Sequence, residues 1–215
     1  STRVKNKNLK KINGKPLIYY SIKSSLEANC GEVIVSTNCK EIAEISKSYG
    51  AKVPFMRPQN LATPNSSSIS VIIHTLSEIL KSGESLPLHI IFRPPTNPLL
   101  SNSSIIKMIE KKEQNPNIDS VLSIYKPRIH PFNFLKFESD NGRIKTDIFS
   151  INGLTKHDIE RSQDLPTCFA SSPACKVTNT SYFTSTYLDK KINPENAYGA
   201  TCLLYTSDAA DDQAC

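Results

Sequence analysis

The chain has 215 residues, 38% hydrophobic and 21% charged, with a mean hydropathy of −0.32. That balance excludes a disordered polypeptide, which lacks the apolar residues for a core, and a membrane-embedded one, because no run approaches the ~18 consecutive apolar residues of a spanning helix. The net charge of +6 is modest, 20 of the 26 basic residues are lysine, and no aromatic residues interleave with a basic stripe, so a phosphorylated small molecule is as good a partner as nucleic acid, which the lack of an RNA- or DNA-reading motif then disfavours.

Pro16 suits the first turn of a helix continued by Leu17, Ile18, Ile22 and Leu26. Val33–Val35 reads as a short β-branched strand. Ile42, Ile45 and Tyr49 mark a second helix stopping at Gly50, a natural left-handed cap. Ser66, Ser67 and Ser68 offer N-caps to a third helix, whose Ile69, Ile72, Ile73, Leu76, Ile79 and Leu80 form an apolar face ending at Gly83. Leu88–Phe92 reads as a strand, Ser101 opens a fourth helix, and Ser120–Ile124 makes another strand. Strands alternating with helices predict an α/β fold: a Rossmann-like, mainly parallel sheet with helices on both faces. From Pro127 the rhythm changes. Phe132, Phe134, Leu135 and Phe137, then Asp140-Asn141-Gly142, predict a hairpin whose exposed aromatics would suit a dimer interface.

The six cysteines have no C-x-x-C spacing, and a chain of this length needs no staples. Free thiols and a cytoplasmic address are the expectation. No Ser/His/Asp or Cys/His arrangement points to a hydrolase; lone His130 and His74 read as structural side chains.

Ligands of open α/β sheets bind beyond the carboxyl ends of strands. That directs attention to Ser36-Thr37-Asn38, to Arg93–Leu100 and to the loop 1–14, which holds Arg3, Lys5, Lys7, Lys10 and Lys11 without an acid. A cationic loop feeding a helix can share the charge of a polyphosphate.

Several motifs then follow in order: Lys7-Asn8-Leu9-Lys10-Lys11-Ile12-Asn13-Gly14-Lys15-Pro16-Leu17-Ile18, Val33-Ile34-Val35-Ser36-Thr37, Glu41-Ile42-Ala43-Glu44-Ile45, Tyr49-Gly50-Ala51 and Arg57-Pro58 with Leu61-Ala62-Thr63. Together they closely resemble the acylneuraminate cytidylyltransferases, the CMP-sialic acid synthetases. Pro95-Thr96-Asn97-Pro98-Leu99 resembles that family's PTSPL loop, and Gln163-Asp164-Leu165-Pro166 its RRQDLP segment. The resemblance runs from Ser1 to about Tyr198 and is densest over the first hundred residues.

The resemblance implies a nucleotide-diphospho-sugar transferase fold with a small β-rich dimerisation subdomain. It implies a homodimer that transfers CMP from CTP to the anomeric hydroxyl of a nonulosonic, sialic-acid-like sugar, releasing pyrophosphate with Mg²⁺. Carried over by position, Lys7 is the triphosphate-contacting, catalytic lysine. Asn8, Ser1, Arg57 and Ser68 join it as nucleotide-binding residues. Arg93 is a further phosphate or carboxylate contact, and Arg161, Gln163 and Ser172 face the sugar. The implied organisation is a nucleotide-binding core over 1–126 lacking the family's first strand, a dimerisation and sugar-binding insertion over 127–180, and a return to the core over 181–201. Residues 202–215 stand apart, because the run from Cys202 to Asp212 resembles the in-frame translation of a transposase adapter.

The departures matter too. Pro94 replaces the glutamine that opens the PTSPL loop, Ser162 the second arginine of RRQDLP, and Ser172-Pro173-Ala174 the family's NGA. The expected metal-binding D-x-D after Gly199 is not there. Asp208, Asp211 and Asp212 have the wrong spacing, so Mg²⁺ ligands are expected outside this sequence. The alternatives are a cytidylyltransferase for another ulosonic acid and a non-catalytic nucleotide-binding or dimeric interaction protein.

Overall fold

A computed structural model describes residue 4 and residues 6–140, 143–148, 150, 153–159, 161–185 and 201–206. The chain enters through a single 3-10 turn, Lys7–Leu9, and a two-rung ribbon of β1 (Lys11–Ile12) and β2 (Lys15–Pro16). Asn13 and Gly14 close that ribbon with φ of 47° and 77°, a pair of left-handed residues that fits a two-residue hairpin turn. Helix α1 (Leu17–Ala28) follows. Pro16 lies one position ahead of its expected place, as the extended N-cap with φ −64° and ψ 148°.

The remaining helices end where their local chemistry dictates. Helix α2 (Lys40–Ser48) is followed by Gly50 at φ 92°. In α3 (Ser68–Lys81) the cap is the middle serine of the triplet: Ser67 Oγ accepts from the Ser70 N–H at 3.1 Å. In α4 (Asn102–Glu113) Ser101 Oγ accepts from Ser104 N–H at 3.2 Å. Each such cap satisfies an orphaned helix donor.

The central sheet has the order β3 (His89–Phe92), β7 (Ala170–Asn179), β4 (Ser120–Tyr125), β8 (Cys202–Thr206). Strand β7 runs antiparallel to both β3 and β4, whereas β8 is parallel to β4. Three of these strands therefore point one way, with β7 running against them. One face carries Val121, Val177, Ala174 and Cys175 against Leu100, Ile105 and Met108 from α4 and the loop before it. The other presents Ile90 and Phe92 of β3 to Ile72 and Leu76 of α3 and to Phe183 of α5 (Thr180–Phe183). A third cluster joins Ile18 and Ile22 of α1 to Val33, Val35 and Ala51.

Three expectations change. Val33–Val35 is not a laddered strand; it is an extended segment held by one parallel bridge, with Val35 N–H on Lys52 O at 2.9 Å and Lys52 N–H on Val33 O at 2.8 Å. The insertion boundary at 180 is too late, because β7 is the inner strand of the core sheet. Pro173 and Lys176 disguise it: the proline is accommodated where the β4/β7 register shifts between Leu122 and Ile124, the kind of bulge at which a strand proline is tolerated. The segment 202–215 is not wholly outside the fold either, since Cys202–Thr206 forms β8 and packs Leu203 and Tyr205 against the core. Residues 207–215 lie outside the described ones.

Strands β5 (Leu135–Asp140) and β6 (Arg143–Ile148) make the expected hairpin, closing at Asp140 opposite Arg143; its turn, Asn141 and Gly142, lies outside the described residues. Of the aromatics expected to be exposed there, Phe134 is, but Phe132 is buried. His130 braces this corner. Its Nδ1 accepts from Phe132 N–H at 3.2 Å, which leaves Nε2 to donate to Pro166 O at 2.9 Å. No described helix is long and apolar enough to cross a membrane.

Candidate functional site

A cleft of about 700 Å³ opens between α1, the Val33–Thr37 segment, α3 and β3. Its mouth is polar, with Asn8, Ser36, Thr37, Arg57 and the serines that begin α3. Its body is apolar, with Ile18, Ile22, Val33, Ile72, Leu76 and Ile90 among the lining side chains.

Arg57 gives the mouth its charge. Its backbone N–H donates to Thr37 O at 2.8 Å and its Nη2 donates to Ser36 O, which fastens it to the turn after Val35. Nε is buried with no hydrogen-bond partner among the described residues, as is the neighbouring Ser36 Oγ. Burial pulls the guanidinium below its ordinary pKa, although it stays charged at neutral pH. No carboxylate pairs with it among the described residues. A half-buried cation of this kind, with an unused donor, suits an anionic ligand.

Ser68 opens α3 and lines the cleft, and because Ser67 performs the capping, Ser68 is not the cap. The first turn of α3 thus presents hydroxyls and backbone donors at the positive end of a 14-residue helix. By residue type alone the serine triplet was legible as capping chemistry; its place with Arg57 in one cleft, which the resemblance implies for Ser68, is brought about by chain folding.

The structure does not gather every expected residue. Asn8 reaches the cleft but Lys7 is not among its lining residues; it sits half-buried in the preceding 3-10 turn, whose Lys10 N–H donates to Lys7 O at 3.1 Å. Ser1 lies outside the described residues. Arg93 lines the cleft, and its guanidinium also has a structural task. Nη1 donates to Ser21 O at 3.0 Å, to Ser24 Oγ and to Ser25 Oγ, and Nη2 to Leu100 O at 3.1 Å and Asn97 O at 3.4 Å. With both Nη groups engaged, the guanidinium ties the 94–100 loop to α1, and only its buried Nε is left without a partner among the described residues.

The expected sugar residues do not meet at this cleft either. Arg161 pairs with Asp164 three residues on, Nε to Oδ2 at 2.8 Å and Nη2 to Oδ1 at 3.3 Å, on an exposed 3-10 turn that also carries Gln163. Ser172 is buried in the β7 bulge, where its Oγ accepts from Ala174 N–H at 3.3 Å and its carbonyl from Ser123 Oγ at 3.0 Å. The Ser172 hydroxyl is thus used inside β7, away from the cleft lining. Among the described residues no three His, Cys, Asp or Glu side chains gather as a metal site.

Comparison with known proteins places this architecture. The family model described as cytidylyltransferase matches residues 1–166. The pseudaminic acid cytidylyltransferase of Campylobacter jejuni serotype O:2 is 38% identical over 116 residues, 54% of this chain and 50% of that protein. The CMP-N,N'-diacetyllegionaminic acid synthase of Legionella pneumophila is 29% identical over 153 residues, 69% of this chain and 63% of that protein. The chain therefore spans about half to two thirds of the length of these relatives. A solved structure of CMP:2-keto-3-deoxy-manno-octonic acid synthetase complexed with CTP superposes with a TM-score of 0.64 over 96% of this chain and 86% of that one; at 12% identity this shows the fold alone. By its family match over residues 1–166 and its α/β architecture, the chain belongs to the cytidylyltransferase family.

Proposed function

We propose that the chain carries the nucleotide-binding part of an enzyme that transfers CMP from CTP to the anomeric hydroxyl of a nonulosonic acid and releases pyrophosphate. The observation that carries this reading is the mouth of the cleft. There a half-buried Arg57 without a carboxylate partner among the described residues lies with Asn8, Ser36 and the N-terminus of α3. Attack on the α-phosphorus breaks its bond to the β,γ-pyrophosphate, so charge accumulates on the departing oxygens. A fixed guanidinium and helix-terminal donors stabilise that charge without reorganising. No covalent enzyme intermediate is required.

The names of the relatives support a nine-carbon acidic sugar as acceptor, since they are called pseudaminic and legionaminic acid enzymes. Mg²⁺ belongs to the proposal as the ordinary partner of a triphosphate, which it meets largely through phosphate oxygens and water. The described residues gather no carboxylate set for it, so no step is assigned to it. A homodimer is also part of the reading, supported by the exposed Ile129 and Phe134 in the stretch that leads into the β5–β6 hairpin.

The test is pyrophosphate release from CTP by the full-length protein with sialic, legionaminic, pseudaminic and eight-carbon ulosonic acids, with its mass in solution measured alongside. Release with a nine-carbon acid and twice the chain mass are expected. Release only with the eight-carbon acid transfers the assignment to that sugar, no CTP-dependent release with any of them overturns the activity, and a single-chain mass overturns the dimer.

A further inference from the structure

Residues 1–26 hold seven basic side chains and no acid, the first acid being Glu27, so this short stretch alone carries more than the net charge of the whole chain. Part of that charge stands on a projection. Residues 10–15, which form both strands of the β1–β2 ribbon and its turn, are all exposed. Two strands of two residues have no stability of their own. The ribbon is fastened to α1 instead, with Leu17 N–H donating to Lys10 O at 2.8 Å and the Tyr20 hydroxyl to Ile12 O. What it holds out is Lys10, Lys11 and Lys15 around Ile12, an apolar β-branched side chain that is 44% exposed.

The adjoining face of α1 continues the pattern. Lys15 Nζ lies 5.5 Å from the centroid of the Tyr19 ring and 5.8 Å from that of Tyr49, and Lys23 Nζ lies 5.9 Å from Tyr19. Tyr49 meets Tyr19 edge-on at 4.8 Å. Glu27 pairs with Lys23 and Glu44 with Lys47, both at 3.6 Å, whereas among the described residues no carboxylate forms an ion pair with the three ribbon lysines. None of these side chains lines the cleft.

We propose that the ribbon and the Tyr19–Lys23 side of α1 dock the protein reversibly on an anionic lipid bilayer, with Ile12 entering the headgroup layer and the lysines meeting lipid phosphates. Basic side chains next to an anionic membrane gain from its surface potential, and a lysine keeps its ammonium at the charged surface while its stem lies along apolar matter. Buried apolar area and charge then add. Other polyanions fit less well. A single-stranded nucleic acid stacks its bases on open aromatic faces, but here ammonium groups lie over Tyr19 and Tyr49, and the patch contains no arginine fork to grip one phosphate. A folded acidic protein gains most from a recess or a flat face. Six exposed residues in a row make a projection, which a fluid headgroup layer accommodates. The inference is independent of the nucleotide reading.

The test is sedimentation of the intact protein with vesicles of phosphatidylcholine alone and of phosphatidylcholine with about one third phosphatidylglycerol, at about 0.05 M and about 0.5 M salt. Partition at least tenfold stronger onto the anionic vesicles at low salt, and lost at high salt, is expected. The double variant K15Q/K23Q should lower it by about twentyfold, about fivefold for each lysine, and I12S by severalfold with the salt dependence kept. The comparison of vesicles and salts needs no variant, so it decides the matter even where a substitution disturbs folding. Equal partition onto both kinds of vesicle, none onto the anionic ones, or partition unchanged in both variants overturns the proposal. A thymidine oligonucleotide at equal phosphate concentration is the last arm: persistence on the vesicles supports the bilayer, and displacement assigns the patch to nucleic acid and overturns it.

Discussion

Arg93 carries a positive charge into the interior and spends it on carbonyls and serine hydroxyls of two segments, α1 and the loop that ends at Leu100. Replacing it by methionine removes those bonds and strands buried acceptors. R93M should cost about 3 kcal/mol of stability in a urea titration, with no change attributable to a lost phosphate contact. A guanidinium that binds nucleotide instead gives the opposite pattern, weak CTP binding with unchanged stability. Lys176 offers a second prediction. Set between Phe92 and Leu122 on neighbouring strands, it is desolvated, which holds its pKa down at about 8 despite the opposing effect of Cys202. In the unfolded chain it keeps its proton to 10.5, so above pH 8 the unfolded state binds more protons and rising pH favours the fold. Cys175 runs the other way. Burial pushes its thiol up to about 12 from 9.0, so above pH 9 the unfolded chain ionises first and stability falls. From pH 8 to 9 the lysine outweighs the thiol, whose unfolded form is only half ionised by pH 9: the urea midpoint should rise across the interval in the wild type and fall slightly in K176M.

Elements were legible in proportion to how local their chemistry is. The starts of α3 and α4 follow from serines that bond three residues ahead, and the ends near Gly50 and Gly83 from single glycines at φ 92° and 81°. Strand β7 was hidden because its pairing partners lie far off in sequence and because it contains a proline and a lysine. Val33–Val35 looked like a strand by residue type, but a laddered strand needs several consecutive rungs, and among the described residues this segment has a single bridge to Lys52. Sequence adjacency does not decide what lines the cleft. Lys7 and Asn8 are neighbours, yet only Asn8 lines the cleft, and Arg93's partners on α1 lie about seventy residues upstream. Strand β8 yields a test at this scale. Deleting residues 202–215 removes the parallel neighbour of β4 and uncovers the core beneath Leu203 and Tyr205, which should lower stability by about 2–4 kcal/mol. An unchanged urea midpoint contradicts the place given to β8.

At the scale of the whole molecule, one sheet and the helices on its two faces bring four distant stretches to a common mouth: the 3-10 turn with Asn8, the turn after Val35, Arg57, and the start of α3. The motifs that resemble the family lie largely in those stretches, which is why the residues of this mouth were legible in the sequence, whereas Arg161, Gln163 and Ser172, expected to face the sugar, lie away from it. Arg161 and Ser172 are held by their own neighbours, one on an exposed turn and the other inside a bulge. Binding of a triphosphate should therefore depend on Arg57 more than on Lys7 or Arg93. The most direct measurement is a calorimetric titration of the wild type and Arg57→Gln with CTP, ATP and GTP. Preference for CTP that falls ten- to a hundredfold in the variant, with the melting temperature preserved, is the predicted result. Equal affinity for the three nucleotides, or CTP binding untouched by the loss of Arg57, contradicts the account.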